Sequence, residues 1–383
     1  MPEHSAIKSR KLTVVQTLPA LQSGGVERGT LEIGKHLVEH GHRSIVISSG
    51  GRLVDRLLSE GSEHVTWDIG RKSPWTLRLV PVLRRFLIAN KVDILHARSR
   101  MPAWICYLAW KGMNPKTRPR FITTVHGLYS VNAYSAVMVK GEKVIAVSEA
   151  ARNYIVQNYP QIEHQRIELI PRGVEPAEFP YGFKPTPEWL KAWQAEYPHL
   201  AGKKILCLPG RITRLKGHHE FIELIARLRA QGMNVHGLIV GGEDPNRQGY
   251  AAEIRQAAHD RGLDDAMTFT GARHDIREIY AVSDIVLSLS TKPESFGRTV
   301  LEALCMGVPV AGYDHGGVSE ILRTLYPAGR VEPENLERLV ATVAKLLESP
   351  VPASRDNPYT LKNMLDRTLA LYEQAAASLK LAD

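Results

Sequence analysis

The stretch DIVLSLSTKPESFGRTVLEALCMGVPVAGYD, residues 284–314, decides the fold. DIVLSLS (284–290) and PVAGYD (309–314) read as short apolar strands, and RTVLEALCMG (298–307) between them reads as a helix. Strand, helix and strand within some thirty residues make a βαβ unit, whose two strands run parallel with a right-handed crossover. Upstream the same alternation continues: strands at KILCLPG (204–210), VHGLIVGG (235–242) and MTFTG (267–271), with helices at 217–232, 251–262 and 275–283. This predicts one parallel, doubly wound sheet.

The first half repeats the architecture without a sequence match. Strands are expected at LTVVQTL (12–18), SIVIS (44–48), HVTWDI (64–69), VDILHA (92–97), RFITTVH (120–126), KVIAVS (143–148) and IELIP (167–171), and helices at 27–41 and 148–159. Many of these strands are apolar throughout, as in a sheet covered on both faces. The proline-rich stretch 176–203 reads as a connection with one short helix in EWLKAWQAEY. The last amphipathic stretch, 359–379, is followed by no strand and has to pack its apolar side elsewhere, the first domain being the candidate. The expected domains are 1–178, 179–357 and a terminal helical segment 358–383 that crosses back to the first.

With 383 residues, 44% apolar and 23% charged, the chain has globular composition and room for two domains at about 150 residues each. Three cysteines, Cys106, Cys207 and Cys305, form no disulfide framework and no zinc spacing. The polar N-terminus lacks a secretory apolar region, and no apolar run reaches the ~18–20 residues of a spanning helix. The expectation is a cytoplasmic, soluble protein with a possible peripheral surface contact. Of the net charge of +9, nearly all lies in residues 1–180, and residues 71–120 carry 12 basic residues against the single acid Asp93. Such a patch attracts phosphates or an anionic surface.

In parallel α/β sheets the chemistry lies beyond the carboxyl ends of the strands. Three strand-end motifs stand out. QSGGVER (22–28) brings Gly24 and Gly25 to a helix start, where free N–H groups favour an anion. GRITRLKG (210–217) clusters Arg211, Arg214 and Lys216 at a strand end. In PESFGRTVLE (293–302), Glu294 is placed in the loop and Glu302 on the second helical turn, so the N–H groups of Arg298–Val300 face the loop. DHGGVSE (314–320) opens a further helix. Each motif has a plainer reading: a simple turn, a solvated basic loop, helix-dipole complementarity for Glu294 and a surface carboxylate for Glu302. No GxGxxG fingerprint or P-loop is present.

Taken together, PESFGRTVLEALCMGVPVAG, GRITRLKG, GGVER, TTVHG (123–127) and IPRGVE (170–175) resemble, in order and spacing, the family 4 retaining glycosyltransferases, and in general pattern the bacterial lipopolysaccharide core sugar transferases. The resemblance implies the GT-B fold: an α/β architecture of two Rossmann-like parallel-sheet domains facing across a cleft. It implies a nucleotide-sugar donor, taken as UDP-linked, although nothing in the residues chooses uracil over guanine. Arg211 and Lys216 match the basic pair on the donor diphosphate, and Glu294 the carboxylate on the donor sugar with Phe296 and Gly297 beside it. Glu302 matches the ribose carboxylate. Thr299 and Val300 fall where backbone amides meet phosphate. Gly25 matches a first-domain glycine near the diphosphate and His126 a histidine near sugar and acceptor. Arg273 lies near where family members meet the base. Two departures are Arg172, where the family often has Asn, and Ser295, where Gly is common.

The implied activity is retaining transfer of a hexose-type sugar to a lipopolysaccharide core or related glycolipid. The sequence declares no carboxylate pair for double displacement, so the attack is expected on the front side, a leaving phosphate oxygen taking the acceptor's proton. No DxD-type cluster follows a strand, and no metal or other cofactor is expected. His36, His40 and His42 have ligand-like spacing without a clear third partner. Arg98 and Arg100 in HARSR (96–100) are candidate acceptor contacts. SPWTLRLVPVLRRFLIANK (73–91) reads as a helix with Trp75, Leu79, Leu83, Phe86 and Leu87 on one side and Arg78, Arg84 and Arg85 on the other. That segment is either a core helix with a charged face or a dock on the cytoplasmic surface of the inner membrane. The competing classes are a sugar-nucleotide epimerase or hydrolase on the same fold and a basic nucleic-acid binder. The second is disfavoured because the basic region lacks interleaved aromatics.

Overall fold

The computed structural model describes residues 10–22, 24–243 and 248–377. They divide into two units: unit 1 runs to Pro171 and resumes at Lys362, and unit 2 is Arg172–Leu361.

Unit 1 carries β1 (Thr13–Thr17), β2 (Arg43–Ser48), β3 (Glu63–Thr66), β4 (Ile94–Ala97), β5 (Arg120–Val125), β6 (Lys143–Ala146) and β7 (Ile167–Leu169) in the order β3-β2-β1-β4-β5-β6-β7. Every pairing is parallel. Its helices up to Pro171 are α1 (Gly25–Glu39), α2 (Val54–Ser59), α3 (Leu79–Ala89), α4 (Arg100–Lys111) and α5 (Glu149–Asn158). Pro81 and Pro102 sit in the first turns of α3 and α4, where a missing N–H costs no helical bond. Val15, Ile45, Ile47, Leu95 and Phe121 are buried in the core around the sheet.

Unit 2 carries α6 (Pro187–Glu196), β8 (Lys204–Pro209), α7 (His218–Ala230), β9 (Val235–Val240), α8 (Gln248–Asp260), β10 (Met267–Gly271), α9 (Ile276–Ala281), β11 (Ile285–Ser288), α10 (Arg298–Cys305), β12 (Val310–Tyr313), α11 (Gly316–Leu325), β13 (Arg330–Val331) and α12 (Leu336–Glu348). Its parallel sheet has the order β10-β9-β8-β11-β12-β13. The stretch 176–203 is a packed part of this unit: Phe179, Trp193 and Leu200 are buried in its core. Trp189 and Trp193 stack with ring centroids 5.1 Å apart, and the Trp189 indole donates to Asp275 at 2.9 Å. Aromatic residues four apart give α6 an apolar face, so its prolines punctuate the segment rather than loosen it.

The final helix, α13 (Leu361–Ala377), packs on unit 1. Tyr372, fully buried, meets His96 Nδ1 at 2.6 Å, while His96 Nε2 meets Thr124 at 2.6 Å. Arg367 donates to the Leu169 carbonyl at 2.6 Å. Strand order reverses at β1/β4 in unit 1 and at β8/β11 in unit 2, the two places where a doubly wound sheet opens a crevice for ligand.

Candidate active site

At the β8/β11 reversal the turn after β8 is pinned against the end of β11. Gly217, the residue before α7, has φ 71°, and a Cβ there would stand 2.0 Å from the Leu289 carbonyl oxygen, so only glycine fits. The Thr291 N–H donates to the Leu215 carbonyl at 3.0 Å. This close approach brings Lys216 Nζ to 2.7 Å from Glu294 Oε1. Glu294 Oε1 also accepts the hydroxyl of Ser290. The backbone carbonyl of Glu294 accepts the N–H of Gly317 at 2.8 Å, and a Cβ at Gly317 would stand 2.4 Å from Phe296. His315 Nε2 reaches the Ser290 carbonyl at 2.8 Å. The loop carrying Glu294 is therefore held from three strand ends at once. Burial pushes the Glu294 carboxyl up, but the charge and hydrogen bond of Lys216, the Ser290 hydroxyl and His315 outweigh it and hold the group below the ordinary carboxylate range.

The remaining expected donor residues of unit 2 surround this pair unequally. Arg211 is exposed on the same turn, and among the described residues it has no ion pair. Arg214 turns away to Glu253, at 3.0 Å, and over the Tyr250 ring. Gly297, with φ 102°, precedes α10, and Thr299 and Val300 occupy its first turn, where N–H groups have no intrahelical acceptor. Phe296 is buried edge-on to Tyr359. Glu302 is no surface carboxylate: it is 6% exposed, accepts from Arg298 Nε at 2.9 Å and receives the Tyr280 hydroxyl at 3.4 Å. Arg273, the expected base contact, is held by ion pairs in the structure. Its guanidinium is committed to Asp275 at 2.7 and 2.9 Å and to Glu196 at 3.0 Å, so it ties α6 to the start of α9.

In unit 1, Gly25 is the exposed first residue of α1, and His126 is half-buried just past β5. Arg98 also departs from expectation. It is 3% exposed and donates at 3.0 Å to Gln16, on the neighbouring strand β1. Arg100 lies over the rings of Tyr129 and Tyr134, 4.8 and 5.3 Å from their centroids, and donates to Ser135. His36 faces Asp366 at 3.4 Å and His42 faces Glu373 at 3.9 Å, joining α1 and its following turn to α13. Among the described residues no group of three or more His, Cys, Asp or Glu side chains is disposed to hold a metal ion.

The basic segment 73–91 differs from a single amphipathic helix. Pro74–Arg78 form a 3₁₀ turn that puts Trp75 77% exposed rather than in the core. Leu83 and Leu87 are buried, and Phe86 packs against Trp67 at 5.3 Å. Arg84 turns inward, donating to the Ala109 carbonyl near the end of α4 at 3.3 Å. What stays outward is Arg71, Lys72, Arg78 and Arg85 with Trp75, Leu77 and Ile88. Among the described residues no helix is long and apolar enough to cross a membrane.

Ser290, His315 and Tyr280 were not singled out from sequence. Ser290 lies inside a strand-like run, and only its position four residues before Glu294 marks it.

Comparison with known proteins bears on this geometry. A family model described as "Glycosyl transferases group 1" matches residues 191–360, and one described as "Glycosyltransferase Family 4" matches residues 23–178. A glycosyltransferase crystal structure from Rickettsia africae ESF-5 is 32% identical, covers 95% of this chain and 98% of its own, and superposes with a TM-score of 0.82. N-acetyl-alpha-D-glucosaminyl L-malate synthase of Bacillus anthracis is 26% identical over 80% of this chain and 79% of its own. Anabaena HepE in complex with UDP-glucose, 19% identical, shares the fold with a TM-score of 0.74 over 97% of this chain and 98% of its own.

Proposed function

The chain belongs to the family 4, group 1 glycosyltransferases of the GT-B fold, and from that premise we propose that it is a retaining hexosyltransferase using a UDP-sugar and a lipopolysaccharide core or related glycolipid acceptor. The observation that carries this reading is the Lys216–Glu294 pair at the β8/β11 reversal. A cation and a carboxylate side by side suit a ligand with a phosphate at one end and sugar hydroxyls at the other.

In this reading Arg211 and Lys216 bind the diphosphate with the first-turn N–H groups at Thr299 and Val300. Glu294, beside Phe296 and Gly297, accepts hydroxyls of the sugar, and Glu302 serves the ribose side. The family resemblance assigns Gly25 and His126, both in unit 1, to donor and acceptor. Arg100, rather than the buried Arg98, is the side chain of its strand end nearer to solvent. The acceptor hydroxyl attacks the anomeric carbon on the face the diphosphate leaves. The carbon–oxygen bond to the diphosphate breaks, the new glycosidic bond forms, and the hydroxyl proton passes to a leaving phosphate oxygen. Negative charge grows on the diphosphate, where preorganised donors count most; losing one typically costs ~3–4 kcal/mol. Two cations there make a metal-independent transfer self-sufficient in charge.

For the acceptor, the support is the unit 1 surface of Arg71, Lys72, Arg78 and Arg85 around Trp75, Leu77 and Ile88. Cations draw such a surface to anionic lipid, and an indole favours the interface. We place the protein on the cytoplasmic face of the inner membrane. The test is a panel of nucleotide-sugars read by nucleoside diphosphate release, with and without lipopolysaccharide core. Acceptor-dependent release from a UDP-sugar, abolished in Glu294→Gln, is expected; equal turnover without acceptor contradicts a transferase.

A further inference from the structure

We propose that Ser290 and His315 are positioning residues for Glu294: with Lys216, the Ser290 hydroxyl fills one carboxylate oxygen, and His315 anchors Ser290, so that the other oxygen is turned to the substrate. The inference rests on the reading of Glu294 as the acceptor of donor-sugar hydroxyls.

The two oxygens of Glu294 are not equivalent. Oε1 receives both Lys216 Nζ, at 2.7 Å, and the Ser290 hydroxyl. Oε2 has no hydrogen-bond partner among the described residues. A carboxylate oxygen takes about two donors, so Oε1 is saturated and a substrate hydroxyl finds its place at Oε2. Lys216 alone does not fix this arrangement, because an ammonium is a point charge on a flexible stem and follows whichever oxygen is offered. Ser290 does. It is buried immediately beyond β11, and its hydroxyl swings on a single short torsion.

The backbone of Ser290 is anchored in turn. His315 Nε2 lies 2.8 Å from the Ser290 carbonyl, which can only accept, so that nitrogen carries the proton. His315 is itself set at the end of β12, its N–H donating to the Tyr313 carbonyl at 2.9 Å, and it is the residue before α11. The relay thus runs from the end of β12 to the end of β11 and into the loop before α10. Each link is short, and each sits on a strand terminus rather than on a free loop, which is what holds a binding group to the tolerance catalysis needs. The titratable groups facing Glu294 are Lys216, from the turn after β8, and His315, from the residue before α11; Ser290 faces it from just beyond β11. All three favour the ionised carboxylate, so removing the Ser290 hydroxyl raises its pKa.

The experiment compares Ser290→Ala, Ser290→Thr, His315→Ala and Glu294→Gln in the full chain. It reads kcat and KM for the nucleotide-sugar that the donor panel selects, with lipopolysaccharide core, the pH profile of kcat/KM, and affinity for UDP alone. A hydrogen bond to a charged group predicts a fall of roughly ten- to a hundredfold in kcat/KM for Ser290→Ala. The acid limb of its profile moves to higher pH, UDP affinity stays within about twofold of wild type by this reasoning, and Ser290→Thr recovers most of the loss. His315→Ala acts in the same direction and less strongly, because it loosens the Ser290 backbone and leaves the hydroxyl in place. An unchanged rate and acid limb in Ser290→Ala overturns the proposal, as does a Ser290→Thr variant no better than Ala. Glu294→Gln separates the two readings: if it turns over like wild type, the role of Glu294 itself falls; if it is inactive while both relay variants are normal, only the positioning falls.

Discussion

Lys216→Ala is the sharpest test of the charge arrangement at the β8/β11 reversal. At 2.7 Å the pair attracts by ~6 kcal/mol at an effective dielectric of about 20, before desolvation is set against it. The two side chains keep 29% and 24% of their exposure, so solvent screens the pair and the net value lies between the ~0–1 kcal/mol of a surface pair and the ~3–5 kcal/mol lost when a buried partner is removed. About 2 kcal/mol is the working figure, which for a domain of this size lowers Tm by roughly 4–8 °C. Catalysis should suffer more. In the proposed reading the ammonium lost binds the leaving diphosphate, and one preorganised donor is worth ~3–4 kcal/mol, or about 10²–10³ in kcat. The assay is nucleoside diphosphate release, with acceptor, from the nucleotide-sugar that the donor panel selects, alongside calorimetric titration with UDP and a thermal melt. In a double-mutant cycle with Glu294→Gln, a coupling of about 0.5–3 kcal/mol is expected for groups in contact. Wild-type kcat and UDP affinity, each within about threefold, together with a normal melt, would falsify the assignment of Lys216 to the diphosphate.

Three further outcomes follow from the same geometry. Combining Trp75→Ala with Arg78→Glu and Arg85→Glu should lower binding to vesicles containing anionic phospholipid at least tenfold, at about 1 kcal/mol per basic residue near the surface. Arg84→Gln should leave that binding intact and cost stability instead, since Arg84 holds the Ala109 carbonyl; equal losses in both variants would sink the outward assignment. Tyr372→Phe strands His96 Nδ1 in the core of unit 1 and should cost about 1–3 kcal/mol in urea unfolding, and an unchanged midpoint would mean that α13 is not latched there. Acid should also destabilise unit 2. Burial pushes His218 and His236 down to about 4 from 6.5, so below pH 6.5 the unfolded chain binds more protons than the folded one and stability falls with pH. Between pH 6.5 and pH 5 each contributes about 2 kcal/mol to that slope, and His218→Gln with His236→Gln should flatten it.

The strands of both sheets could be read because runs such as VVQT in β1 and IVLS in β11 are buried on both faces, and continuous apolar runs survive without any tertiary knowledge. β13 escaped since two residues show no pattern at all. The motifs of the site were legible where glycine enforces a close approach, as at Gly217 and Gly317. What sequence could not supply is the direction in which a charged side chain turns. Arg78, Arg84 and Arg85 share one segment, yet Arg84 finds a carbonyl at the end of α4 and folds inward. Arg273 finds Glu196, distant in sequence, and Arg98 finds Gln16 across the sheet. Each choice depends on partners that only the tertiary packing brings near.

Both units carry a strand reversal, so topology alone does not say which end holds the chemistry. The difference lies in how the polar groups at each reversal are used. In unit 1, His96 is closed between Tyr372 and Thr124, and Arg98 donates to Gln16 below the surface, while the Arg98 Nε has no hydrogen-bond partner among the described residues but is sealed from solvent. Those groups stabilise the sheet and the terminal helix, and burial keeps the His96 imidazole neutral by pushing its pKa well below 6.5. In unit 2 the internal bonds stop one step short. Ser290, His315 and the N–H of Gly317 fix Glu294, yet its Oε2 remains open and Arg211 is exposed without an ion pair among the described residues. A fold that spends hydrogen bonds on aiming a carboxylate and leaves its second oxygen unmatched is organised around something that arrives from solvent. That difference between the two reversals is the physical argument for the proposal that unit 2 holds the donor sugar.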